Sequence, residues 1–78
     1  MNLELAILHV LDAATGARPL PDAAIHAKVP LFAAEDFPLA DVQRALNRLA
    51  TKGHAKGTRD EDLGNLWIIT PGGRLRIS

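Results

Sequence analysis

The sequence predicts a mainly helical domain closed by a small β-hairpin, and two observations predict it. Apolar residues recur with a helical period in three stretches up to Gly53. Beyond Gly53 the pattern shifts to short strand-type runs on either side of a polar loop. At 78 residues the chain makes one domain, residues 1–78, and its 47% apolar content is ample for a packed interior.

The first stretch, LELAILHVLDAA at residues 3–14, sets Leu3, Ile7, Val10, Leu11 and Ala14 on one side of a helix, and Gly16 supplies a stop or turn. Glu4, His9 and Asp12 mark its polar side. Leu5 and Leu8 point toward that side, so this helix carries more apolar surface than one core needs. GARPLP is a connection stiffened by Pro19 and Pro21. DAAIHAKV follows as a short helix, with Pro21 suited to its first turn and Pro30 ending it. LFAAED reads as a loop or distorted turn. The third helix starts near Asp36 or Phe37, with Asp36 as a cap and Pro38 tolerated in the first turn, and runs to Gly53 in the left-handed stop position. Its stripe is Leu39, Val42, Ala45, Leu46 and Leu49, which leaves Ala40, Gln43, Arg44, Asn47, Arg48 and Thr51 facing away.

HAKGT and NLWIIT then form a hairpin whose tip, RDEDLG, is too long for a two-residue turn. A lone hairpin is marginal, so it must lie on the helices, with Trp67 and Ile69 inward and Leu66 and Ile68 outward. The last segment has two readings. Thr70 and Pro71 can start a helix that Gly72 and Gly73 weaken, or TPGG can turn RLRIS back as a third strand.

Charge is segregated although the net charge is zero. Residues 1–41 hold two cations against six carboxylates. Residues 44–59 hold Arg44, Arg48, Lys52, Lys56 and Arg59 with no acid, and Asp60, Glu61 and Asp62 follow at once. The cations can neutralise phosphates while Gln43 and Asn47 reach base edges; the plainer alternative is a solvated helix face with cations toward its C-terminus. A continuous positive ridge from Arg44 to Arg59 favours DNA, and a ridge broken by Asp41 and the tip carboxylates favours a protein partner.

The inventory argues against catalysis. There is no cysteine, no serine before Ser78 and no glycine-rich phosphate loop, and His9, His26 and His54 sit on separate elements without metal-ligand spacing. Neither an enzyme, a cofactor, a metal nor a small-molecule substrate is expected. No run is long enough to cross a bilayer and no leader is recognisable, so the expected place is the cytoplasm.

The third helix with its ALNRLATKG segment, the hairpin, the tryptophan of the returning strand and the T-x-x-G closure at Thr70–Gly73 together resemble a winged helix-turn-helix domain of the bacterial or phage regulator type. The resemblance covers nearly the whole chain. It implies three helices followed by a wing, and double-stranded DNA binding by a small transcriptional regulator or accessory factor. Carried residue by residue, it implies that Gln43, Arg44, Asn47, Arg48 and Thr51 enter the major groove and that Arg59 stands near the wing tip. Lys52 and Lys56 extend the same positive region. Winged helices also serve as protein-interaction or assembly modules, which is the second reading. Leu5, Leu8, Leu66 and Ile68 form an apolar surplus that a homodimer would bury.

Overall fold

A computed structural model describes residues 2–14 and 18–78. The expected stop at Gly16 lies outside the described residues. The elements run α1 (Leu3–Ala13), β1 (Leu20–Pro21), α2 (Asp22–Lys28), a single 3-10 turn (Val29–Leu31), α3 (Leu39–Thr51), β2 (Ala55–Asp60), β3 (Gly64–Ile69) and α4 (Pro71–Ile77).

Helix α1 is the centre of the molecule. Asn2 caps it, its side chain accepting from the Leu5 N–H at 2.8 Å. It packs against α2, α3, α4 and β3 together. A helix surrounded in this way buries most of its circumference, and Ala6, Ile7, Leu8, Val10 and Leu11 are all core. The single apolar stripe drawn from the sequence was too narrow for that reason. It misassigned Leu8, which is wholly buried and contributes nothing to a self-association surface, while Leu5 is half-buried.

Helix α2 begins after Pro21, whose fixed φ suits a helix entrance. The α-helix ends at Lys28, just ahead of Pro30 as expected, and the chain continues into the 3-10 turn, where a missing N–H costs little. Helix α3 starts later than expected, with Pro38 rather than Asp36 in the cap position. Phe37 stays outside the helix, and its carbonyl accepts from His26 Nε2 at 2.7 Å, pinning the entrance of α3 to α2. Val42, Ala45, Leu46 and Leu49 bury its inner face. The stop at Gly53 is as expected, with φ at 79°.

The hairpin forms with a three-residue tip between Asp60 and Gly64, and Gly64 also has positive φ. Asp60 organises this tip, its Oδ1 accepting from the N–H groups of Asp62 and Leu63 at 2.9 and 3.0 Å. Strand β3 is central in an antiparallel sheet of order β1-β3-β2. The third strand is Leu20–Pro21, inside the segment expected to be a mere connection; Pro21 is tolerated because β1 is an edge. Trp67 pairs with Leu20 on one side and Gly57 on the other, and it is buried with Ile69 against the helices. Leu66 and Ile68, on the opposite face of the strand, are half-buried. The large apolar side chains most exposed among the described residues lie elsewhere, at Leu31, Leu63 and Leu75.

The final segment is a helix, not a strand. Thr70 caps α4 by accepting from the Gly73 N–H at 3.1 Å, and Pro71 occupies the first turn. The Thr70 hydroxyl also donates to the Gly53 carbonyl, and its N–H donates to the His54 carbonyl at 3.2 Å. The end of α3 and the start of α4 are thereby locked together.

Candidate nucleic-acid interface

Helix α3 follows the turn after α2 and turns its polar side to solvent. With 100° between residues, Ala40, Arg44, Asn47 and Thr51 stand roughly opposite the buried stripe. Gln43 lies on the flank toward α2, and Arg48 and Lys52 lie on the flank toward α1. All of these are exposed. The helix leads through Gly53 directly into β2, where Lys56 and Arg59 are exposed and have no ion pair among the described residues.

The expected residues of α3 and the hairpin are all exposed, and the structure gives several of those on α3 partners within the chain. Arg44 pairs with Asp41 one turn earlier. Arg48 Nε and Lys52 Nζ both reach Glu4 of α1, at 3.4 and 2.9 Å, and Arg76 of α4 joins them at 3.1 Å. Gln43 Nε2 donates to Asp22 at 3.1 Å. The Thr51 hydroxyl donates to the Asn47 carbonyl of its own helix. The positive ridge is therefore interrupted at Asp41 and Glu4 as well as at the wing tip. Arg44, Arg48 and Lys52 nonetheless keep 65%, 54% and 47% of their side-chain surface exposed. Exposed pairs are worth about 0–1 kcal/mol each, weak enough for a phosphate to compete with.

In the sequence Glu4 marks only the polar side of α1, and in the fold it joins three helices. It is the acceptor for three cations from α3 and α4 while its own side chain is only 17% exposed. No local pattern could have revealed contacts spanning 44, 48 and 72 residues. The hydrogen bond from Lys52 draws the Glu4 carboxyl down from 4.5 to about 2; partial burial opposes this, and Arg76 and Arg48 reinforce it. Because the folded pKa lies below the unfolded one, the ionised group stabilises the fold above about pH 4.5, and that contribution is lost as pH falls toward about 2. Glu4→Gln is expected to lower stability by about 1 kcal/mol at neutral pH, a figure discounted for the exposure of the cations. In urea titrations from neutral pH downward, the gap between the two proteins should close over that acid window.

Among the described residues no cluster of His, Asp or Glu could hold a metal ion, and no helix is long and apolar enough to cross a membrane.

No family model matches the sequence, and no curated protein matches it. Solved structures do match in fold. A MarR-family transcriptional regulator from Silicibacter pomeroyi superposes with a TM-score of 0.79 at 20% identity, over 96% of this chain and 45% of that one. The complex structure of hsRosR-S1 gives 0.78 at 19% identity, over 99% and 65%. The PcaV transcriptional regulator from Streptomyces coelicolor, in complex with its natural ligand, gives 0.74 at 22% identity, over 99% and 49%. The fold is thus the winged helix-turn-helix fold found in MarR-type regulators, and the chain spans about half to two-thirds of the length of these structures. The PcaV complex corrects one expectation, that of no small-molecule substrate: a transcriptional regulator of this fold is seen in complex with its natural ligand.

Proposed function

We propose that the chain binds double-stranded DNA as a transcriptional regulator or accessory factor, with α3 in the major groove and the wing along the backbone. The observation that carries this reading is the placement of Gln43, Arg44 and Asn47 on the solvent face of a helix that leaves a helix-turn-helix corner and runs into a wing bearing Lys56 and Arg59. Two of the structures that share the fold are transcriptional regulators. Arg44 and the wing cations neutralise phosphates, Gln43 and Asn47 face base edges, and Arg48 and Lys52 divide their charge between Glu4 and the backbone.

Arg44→Ala should weaken binding to any duplex and reduce the slope of log affinity against log salt by roughly 0.9, the signature of one lost phosphate contact. Asn47→Ala should act mainly on a preferred sequence. Fluorescence anisotropy over a salt series separates the two. An unchanged slope for Arg44→Ala would remove that residue from the interface.

The interrupted ridge supports a second reading, a protein-interaction module of the same fold. Asp41 and Glu4 offset cations of α3, and Glu61 and Asp62 stand exposed on the wing. The double variant Glu61→Gln/Asp62→Asn leaves the Asp60 turn intact and distinguishes the readings. It strengthens duplex binding if the wing approaches phosphates and leaves it unaltered if the wing faces a protein.

A further inference from the structure

A chain of contacts runs from the core to the surface of α3 and fixes one amide. Gly57 presents no Cβ to its cross-strand neighbour; a methyl there would lie 2.8 Å from the Trp67 ring. The indole rests over this gap at 5% exposure, and its Nε1–H donates to Asp22 Oδ1. The other oxygen of the same carboxylate, Oδ2, accepts from Gln43 Nε2 at 3.1 Å. A carboxylate only accepts, so the amide nitrogen must face Asp22 and the amide oxygen must face away. The hydrogen bond to Trp67 holds the carboxylate itself in place.

We propose that Gln43 reads adenine in the major groove and that Asp22 is its positioning residue; this rests on the DNA-binding reading above. With one N–H committed to Asp22, Gln43 presents its carbonyl oxygen and its second N–H side by side. Adenine offers the complementary pair, an amino donor at N6 and an acceptor at N7. Guanine offers two acceptors and would set its O6 against the amide oxygen. Cytosine satisfies the oxygen alone, and thymine offers an acceptor and a methyl group. The order of preference is adenine, then cytosine, with guanine and thymine last.

The test starts with selection from a randomised duplex pool, followed by anisotropy on the selected duplex and on its single-base variants. Wild type should require adenine at one position and lose about tenfold or more in affinity when guanine replaces it. Gln43→Ala should bring that ratio to within about twofold. Asp22→Asn can turn its own amide nitrogen toward Gln43, inverting the Gln43 amide, and should admit guanine at the same position. Melting curves and Trp67 emission identify folded variants. Asp22→Asn retains an acceptor for the indole. A base ratio at one position is a readout that a purely structural role for Asp22 would not move. A wild-type protein that binds all duplexes equally overturns the adenine assignment and leaves the DNA reading standing, whereas one that binds no duplex overturns both. An Asp22→Asn variant that keeps the full adenine-to-guanine ratio overturns the positioning role.

Discussion

Gly73→Ala is expected to cost about 3 kcal/mol or more, the upper end of what overpacking does to a core. A methyl built on Gly73 would stand 2.1 Å from the His54 carbonyl oxygen and 2.8 Å from Ile69 Cγ1. The first of these is backbone, held by the Thr70 N–H, and cannot rotate away. Relief would require α4 to lift from the end of α3, breaking the Thr70 cap and the Thr70–Gly53 bond together. Gly72 is the control. Its nearest neighbour would be the Gly53 oxygen at 3.3 Å, so Gly72→Ala should change stability by less than about 1 kcal/mol, with the gain in helix propensity offsetting the crowding. Thermal melts of both variants settle the matter: a drop of roughly 10–20 °C for Gly73→Ala is the expected outcome. A fall of a degree or two would contradict the close approach of α4 to His54.

Trp67→Ala should be at least as damaging, costing about 3–5 kcal/mol as large-to-small aromatic replacements in cores do. Trp67 sits on the central strand between Leu20 and Gly57, so its loss opens the seam between the sheet and the helices. It also strands the Asp22 carboxylate without its indole donor. Small domains often hold little more stability than this, so chemical denaturation should show a largely unfolded population even without denaturant. Trp67→Phe helps to separate the two causes, because it keeps an aromatic ring on the strand while removing the N–H together with part of the ring system. A cost of about 1–2 kcal/mol is expected for it. If Trp67→Ala unfolds at the wild-type urea midpoint, the ring is not the keystone of the sheet-helix contact.

Most of the fold could be read from residue patterns because most of it is local. Helical periodicity places α3, Gly53 ends it, and the alternation of NLWIIT sets Trp67 and Ile69 inward. What escaped is what depends on distant neighbours. Strand β1 is two residues long, and only its pairing with β3 makes it a strand. The depth of Leu8 depends on how many elements crowd α1. The glycines of TPGG read as helix weakeners, yet Gly73 is demanded by the approach of His54, an advantage that outweighs its poor propensity. At the candidate interface, the exposed side of α3 is legible in its polar residues, but the partners of those residues are not. Asp22, Asp41 and Glu4 act there from one turn to more than forty residues away, and only Asp41 has a spacing that a helix makes visible.

The measurement that bears most directly on DNA binding is anisotropy of a labelled mixed-sequence duplex titrated with the wild-type protein at low salt, then repeated as salt rises. Binding in the micromolar range is expected, with log affinity falling linearly against log salt at a slope set by several phosphate contacts. No association at tens of micromolar protein, or an affinity indifferent to salt, would contradict the DNA-binding reading and leave the protein-interaction module in its place.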